Sequence, residues 1–284
     1  MDYFLNVWQH LPSNINPVLF QIGRFKLYYY GLMYIVAFTI VYYLTLFRVK
    51  KEKRFNVSEN HVQDLMVNMM LGVIVGGRLG YVLFYNLSHY LKHPLEIILP
   101  FNFSSGITFT GISGMSYHGG LICVILFAWL YVRKNKLNFR DIADLFIPVI
   151  PLGYTFGRLG NFINGELYGR ATSSPIGMYF PPEPELRHPS QLYEAFFEGI
   201  FLFAVLWYVR KKQKTRGAMI GFYLIGYGSV RFIIEFFRQP DSHIGFVFFK
   251  FSMGQVLCSI MIVGGFFVYF YLRGNFKFQL PTSK

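Results

Sequence analysis

Residues 157–169 read Gly-Arg-Leu-Gly-Asn-Phe-Ile-Asn-Gly-Glu-Leu-Tyr-Gly and continue an apolar stretch. Arg158, Asn161, Asn164 and Glu166 thus stand where lipid would exclude them. An arginine at the centre of a spanning helix costs roughly 2.5–3.5 kcal/mol on insertion scales, and a partner normally offsets that cost. Guanidinium and amide donors in apolar surroundings suit an anion, above all a phosphate, which guanidinium grips through paired N–H donors. Gly165 and Gly169 would extend the Arg158–Asn161 face if the helix persisted, adding free backbone amides to the cradle. A second series, Tyr227, Arg231 and Glu235, follows i, i+4, i+8 spacing and lines one helix face, with Arg238 prolonging the stripe. One reading makes Arg231 and Glu235 a mutually neutralising structural pair. Against that reading, Arg158 has no acid at i+4, and the polar group counts more positive members than negative.

Two further runs bring candidate residues. Ser116-Tyr117-His118-Gly119-Gly120 sets an imidazole beside a flexible glycine pair, and histidine is the side chain best placed to accept a proton near neutral pH. His188-Pro189-Ser190-Gln191-Leu192-Tyr193-Glu194 reads as a helix start, with an early proline and a first-turn acid. Glu194 also has the depth to face the site. His61, His89 and His93 have no chemical company, His10 and His243 stay unassigned, and no metal-ligand spacing occurs. Cys123 and Cys258 fall in apolar stretches and read as packing residues.

The elements that carry these residues are membrane helices. The chain is 54% hydrophobic and only 14% charged, with mean hydropathy +0.37. That much apolar surface fits a helical bundle in lipid rather than a soluble domain. Seven stretches approach the roughly 20 residues a span requires: Tyr28–Phe47, Asp64–Tyr85, Gly119–Val132, Ile142–Ile163, Gln191–Val209, Gly217–Phe237 and Met253–Leu272. The expected fold is therefore an all-α membrane protein with seven transmembrane helices, in a single domain over residues 1–284. Two connections, about 86–117 and 165–189, form a small extracytoplasmic cap. Pro94 and Pro100 break any helix in the first, and Pro181-Pro182-Glu183-Pro184 makes the second irregular. Pro148 and Pro151 predict a kink in the fourth span. Gly77-Arg78-Leu79-Gly80 echoes Gly157-Arg158-Leu159-Gly160, which small-residue packing explains better than duplication.

Net charge is +13, and its distribution sets the orientation. Arg48–Arg54, Arg133–Arg140, Arg210–Arg216 and the tail from Arg273 hold 17 basic residues. The alternate segments hold seven: Arg24, Lys26, Lys92, Arg170, Arg187, Arg238 and Lys250. The excess places the N-terminus outside and the C-terminus in the cytoplasm, and argues for topology and anionic lipid rather than nucleic acid. Arg78, Arg158 and Arg231 then lie roughly 21–24 Å from the cytoplasmic ends of their helices, in the outer half of the bilayer. Tyr30 and His118 reach the same level. Met1–His10 lacks the basic start and apolar core of a signal peptide, so the first span serves as an uncleaved anchor. The aromatics of the arm Met1–Lys26 suit the membrane interface.

With these residues in view, 157–169 resembles the signature of the bacterial phosphatidylglycerol–prolipoprotein diacylglyceryl transferases. Tyr29–Tyr34, Gly76–Asn86, Ser116–Gly120, Arg187–Glu194 and Gly226–Asp241 resemble that family's other motifs. The resemblance covers nearly the whole chain. It implies seven spans, an outside N-terminus, a multi-pass protein of the bacterial cytoplasmic membrane with its site toward the outer leaflet, and no cofactor. It also implies a reaction between phosphatidylglycerol and the lipobox cysteine of a preprolipoprotein. A diacylglyceryl group moves to the thiol, a thioether forms and glycerol phosphate leaves. Residues it carries over are Tyr30, His118, Arg158, Asn161, Glu166, Gly169, Tyr227, Arg231 and Glu235. Arg158 and Arg231 are expected to stabilise the leaving oxygen, with His118 as base and Glu235 or Tyr30 in reserve. Asn161, Asn164, Glu166, Gly169, Tyr227, Glu194 and Arg238 are expected to bind substrate, whose acyl tails leave sideways into lipid.

Two rival classes predict other patterns. An anion or lipid transporter calls for polar residues through the full membrane depth, whereas these concentrate in the outer half. An intramembrane hydrolase would use Ser113 or Ser116 with His118, yet these share one short loop with no glycine-serine-glycine elbow and no orienting acid.

Overall fold

The computed structural model describes residues 2–23, 25–99, 101–102, 108–109, 114–239, 246–248 and 251–278. Met1, Arg24, Pro100, Ser113, Pro240, Asp241, His243 and Lys250 lie outside the described residues. The chain packs as two units, Met1–Lys51 with Arg140–Lys284, and Glu52–Phe139.

The first unit opens with α1 (Asp2–Gln9), α2 (Leu11–Asn14) and the hairpin β1 (Val18–Ile22)–β2 (Phe25–Tyr28), which leads into α3 (Tyr29–Lys51). The second unit holds α4 (Glu59–Tyr85), α5 (Leu87–Lys92), a 3₁₀ turn (Pro94–Ile97), the pair β3 (Phe101–Asn102)–β4 (Thr108–Phe109) and α6 (Tyr117–Lys134). The first unit resumes with α7 (Phe139–Phe146), α8 (Ile150–Ile163), the pair β5 (Met178–Tyr179)–β6 (Leu186–Arg187) and α9 (Ser190–Glu194). A π-helical stretch (Ala195–Phe201) and α10 (Leu202–Lys212) continue α9 as one helix. Then come α11 (Ala218–Ile234), the pair β7 (Phe246–Phe248)–β8 (Phe251–Ser252) and α12 (Met253–Phe278).

Among the described residues, four helices have the length and hydropathy to cross a bilayer: Tyr29–Lys51, Glu59–Tyr85, Ser190–Lys212 and Met253–Gly274. Counting α7 and α8 as one bent span makes five. The bend is 51°, and the break spans Ile147–Val149, where Pro148 was expected to kink the chain. Proline cannot donate the helical bond and crowds the preceding turn, so the path changes there. α11 is helical but 17 residues long. Outward side chains of α12 such as Ile260, Val263 and Phe267 are 63, 69 and 70% exposed, the surface that lipid covers.

In the second unit, α4 and α6 meet through glycines. A Cβ on Gly119 would lie 2.3 Å from the Gly76 carbonyl oxygen and 2.7 Å from the Gly80 Cα. Gly119, next to His118, therefore serves close helix contact instead of flexibility, a small-residue interface of the membrane type. Arg78 donates from Nε to the Ile97 carbonyl at 2.9 Å and from Nη2 to the Glu96 carbonyl, holding the 3₁₀ turn.

In the first unit, one member of the basic runs proves structural. Arg48 is fully buried and donates to the carbonyls of Asp144 (2.7 Å) and Leu145 at the end of α7. The Asp144 carboxylate in turn accepts from the amides of Gly217 (2.8 Å) and Met219 (3.0 Å), satisfying the open donors at the start of α11. A cluster of Phe162, Met178 and Phe180, joined by Trp8, Ile15, Tyr168 and Leu192, ties α8 and the β5–β6 hairpin to the N-terminal arm.

Candidate active site

Three segments of the first unit bring charge together. α8 supplies Tyr154, Arg158 and Asn161, the helix from Ser190 supplies Glu194 and Glu198, and α11 with its last turn supplies Arg231, Glu235 and Arg238. Glu194 is the hub. Its Oε2 lies 2.7 Å from Arg158 Nε and 3.1 Å from Arg231 Nη1, and its Oε1 lies 3.2 Å from Arg238 Nη1. Arg231 also meets Glu198 Oε1 at 3.3 Å and Glu235 Oε2 at 3.3 Å. Arg238 Nε stands 3.7 Å from the same Glu235 oxygen, and Ser252 Oγ donates to Glu235 Oε1 at 3.1 Å. Arg158 and Arg231, from different helices, therefore meet on a single carboxylate oxygen.

The expectation of surplus positive charge is corrected here. Three arginines face three glutamates, because the acid that neutralises Arg158 comes from another helix and leaves no mark at i+4. Charges this dry persist only when paired. The Arg231–Glu235 pair exists, but Arg231 also spans Glu194 and Glu198, so it is more than a private bridge along α11.

Burial separates the two signs. The side chains of Glu194 and Glu198 are 0% exposed, whereas those of Arg158, Arg231 and Arg238 are 16, 15 and 17% exposed. The acids form a floor and the guanidiniums lie over it. Carboxylates engage Nε and Nη1 of Arg231 and Arg238 and Nε of Arg158, whose Nη1 donates to Asn161, and among the described residues no Nη2 of the three makes a hydrogen bond. Partly exposed guanidiniums anchored on buried acids are suited to hold a phosphate and to meet charge growing on its oxygens.

The signature turn behaves differently from its sequence-based expectation. α8 ends at Ile163, and Gly165 takes φ +66°, the left-handed region that glycine enters without penalty. The amides of Gly165, Glu166 and Gly169 donate to the carbonyls of Phe162, Asn161 and His188, at 3.0, 3.1 and 2.8 Å. They are not free for an anion, which corrects the backbone cradle. Gly169 is needed for packing, since a Cβ there would come within 2.3 Å of the Phe237 carbonyl oxygen. Arg158 Nη1 donates to Asn161 Oδ1 at 3.2 Å, and Asn161 Nδ2 donates to Glu166 Oε1 at 2.8 Å. Asn164 Nδ2 reaches that same Glu166 oxygen at 3.4 Å, and Gln191 Nε2 donates to the Glu166 carbonyl at 2.6 Å. The signature thus orients Arg158 through a chain of side-chain amides.

Aromatic residues complete the surroundings. Tyr30 shares a hydrogen bond with Tyr34 at 3.1 Å and packs against Gly160. Tyr227 meets Tyr154 edge to face with centroids 6.2 Å apart. Outside the helices, burial lowers the His188 ring from its usual range, favouring a neutral imidazole, with Nδ1 3.2 Å from Tyr193 Oη.

His118 belongs to the second unit, exposed in the first turn of α6, whose N-cap is Ser116. Ser116 Oγ is buried and accepts from the Gly119 amide at 3.3 Å, a cap rather than a nucleophile. The site residues that sequence reasoning missed are Tyr154 and Glu198. Glu198 carried a signal, an acid between Phe197 and Gly199 inside an apolar run. Tyr154 carried none, since a tyrosine in a helix rich in aromatic neighbours reads as packing.

Comparison with known proteins bears on this arrangement. The family profile described as LGT, prolipoprotein diacylglyceryl transferase, matches residues 17–271. A Chlorobaculum tepidum protein named phosphatidylglycerol–prolipoprotein diacylglyceryl transferase is 57% identical over 265 residues, 92% of this chain and 91% of its own length. Proteins of the same name from Francisella tularensis subsp. mediasiatica and Bordetella avium are each 45% identical. They align over 254 and 252 residues, 89 and 88% of this chain and 91 and 92% of their own.

Proposed function

The chain belongs to the prolipoprotein diacylglyceryl transferase family, and from that premise we propose that the arginine cluster is where its reaction takes place. The enzyme transfers a diacylglyceryl group from phosphatidylglycerol to a prolipoprotein, the first step of lipoprotein maturation. The acceptor is the thiol of the lipobox cysteine. Its sulfur attacks the glycerol carbon that bears the phosphate ester, forming the C–S bond of a thioether. The C–O bond breaks and glycerol phosphate leaves with that electron pair, so negative charge on the phosphate rises by one. Nη2 of Arg158 and Arg231 meets that charge, and Arg238 extends the same rim. The observation that carries this assignment is that partly exposed guanidiniums from two helices converge on one buried oxygen of Glu194, at 2.7 and 3.1 Å.

A free thiol has a pKa near 8.5 and is mostly protonated at neutral pH, so attack needs a base. His118 takes that role, with Glu235 and Tyr30 in reserve. His118→Asn is expected to lower the transfer rate and shift the pH–rate profile, measured by steady-state assays between about pH 5.5 and 9.5 (about one unit below to one above the ordinary histidine and thiol values). An unchanged profile removes His118 from the role.

The protein is a bacterial membrane protein in which seven helical segments span the bilayer as one domain, N-terminus outside, with the site toward the outer leaflet and a cap from about 86–117 and 165–189. Support comes from the basic ends of α3, α6 and α10. Glu194 and Arg210 stand 16 residues apart on one continuous helix, which puts the cluster about 24 Å from the basic end. Acyl tails stay in lipid.

The reaction is tested with purified protein in vesicles of phosphatidylglycerol labelled in the acyl chains, and lipobox peptides carrying Cys or Ser at the acceptor position. Label should move to the Cys peptide and not to the Ser peptide, because the hydroxyl is a far weaker acid and nucleophile. Equal labelling of both, or none of either, overturns the reading.

A further inference from the structure

Tyr154 lies one helical turn before Arg158, at the centre of the charge cluster. Its hydroxyl oxygen accepts from Arg158 Nε at 2.6 Å. Two carboxylate oxygens lie within reach of the single hydroxyl proton, Glu198 Oε2 at 2.7 Å and Glu194 Oε2 at 3.3 Å, and Glu198 is the nearer. The Tyr154 ring also lies under the Arg158 guanidinium, 4.7 Å from centroid to carbon, and is held edge-on by Tyr227 at 89°. One phenol therefore touches an arginine and two fully buried acids, and grips Arg158 by both Nε and its face.

The backbone is shaped to allow this. The π-helical stretch Ala195–Phe201 begins directly after Glu194, and its wider turn carries Glu198 on the same side as Glu194. Thr155 Oγ1 donates to the Ala195 carbonyl at 3.2 Å, satisfying a group on that stretch. A Cβ at Gly199 would lie 2.0 Å from Thr155 Oγ1, so only glycine lets α8 come this close.

We propose that Tyr154 is a further positioning residue for the transfer, its hydroxyl fixed by Glu198 and in turn fixing the rotation of Arg158 toward the lipid phosphate. The proposal rests on the reading of Arg158 as a phosphate ligand. Without the hydroxyl, Nε keeps Glu194 but loses its second anchor, and Nη2 swings about the side chain. A small misplacement of a stabilising donor costs rate rather than acceptor binding.

Tyr154→Phe keeps the ring beneath Arg158 and removes only the hydroxyl. In the vesicle assay, kcat should fall about tenfold while KM for the lipobox peptide and thermal stability stay close to wild type. Glu198→Gln should lower kcat at least as far, since it also loosens Arg231, and the double variant should lose less than the product of the two single losses, because part of each runs through one hydroxyl. Wild-type kcat in Tyr154→Phe, or a double variant whose losses multiply, overturns the proposal. Should Tyr154→Phe fail to fold, Glu198→Gln carries the test, and failure of both to fold makes the pair purely structural and ends it. If wild-type protein itself labels no Cys peptide, the functional reading falls, an outcome separate from active wild type with an equally active Tyr154→Phe.

Discussion

Arg158→Lys is expected to cut diacylglyceryl transfer by about two to three orders of magnitude, the loss typical of deleting one donor that meets charge formed in the transition state. Lysine preserves the charge, so the comparison isolates geometry. The arginine engages Tyr154 Oη and Glu194 through Nε at 2.6 and 2.7 Å, engages Asn161 through Nη1 at 3.2 Å, and still offers Nη2. A single ammonium has no rigid fork to do all of this at once. It would settle on Glu194, the nearest full negative charge, and leave the phosphate unmet. The measurement is kcat/KM with labelled phosphatidylglycerol and a lipobox peptide, alongside a melting curve to establish that the variant is folded. Transfer within threefold of wild type (about 0.7 kcal/mol) would sink the guanidinium–phosphate contact and with it the central role given to Arg158.

Glu194→Gln should be the most destabilising single change in the cluster. Its carboxylate is 0% exposed and lies within 3.2 Å of guanidinium nitrogens from Arg158, Arg231 and Arg238. Glutamine keeps the shape but removes the charge and turns an NH₂ donor toward a guanidinium, leaving positive groups facing one another. Removing one partner of a buried ion pair costs about 3–5 kcal/mol, and these arginines are too dry for solvent to screen much of it. The expected result is a melting temperature lowered by several degrees in detergent, with transfer lost as Arg158 and Arg231 splay apart. Glu166→Gln is the control. Glu166 is exposed and, among the described residues, its carboxylate receives only amide donors from Asn161 and Asn164, so its stability effect should be small. If Glu194→Gln melts like wild type, Glu194 is not the electrostatic hub of the site.

Much of the molecule could be read along the chain. Long apolar stretches marked the helices Tyr29–Lys51, Glu59–Tyr85 and Ser190–Lys212, and Pro148 marked the break between α7 and α8. The i, i+4 step placed Arg231 and Glu235 on one face because both belong to the same helix. The composition of the basic runs hid the buried clamp of Arg48 on the end of α7. Gly169 was marked as important for a sound reason and a wrong use. Its amide is taken by His188, and its lack of a side chain is what the Phe237 carbonyl requires.

By itself the sequence determined the chemical class: a membrane helix bundle, a family signature, and arginines set where only an anion or a partner could keep them. Hydropathy, helical period and motif are properties of neighbouring residues, so one dimension is enough to carry them. The tertiary structure alone decided which charges meet. Glu194 became the shared counterion of three arginines, and Tyr154 and Glu198 entered the site, because α8, the π-helical stretch and α11 approach closely enough for their side chains to touch. Ion pairing follows distance in space, and no spacing along one helix records which acid another helix will bring.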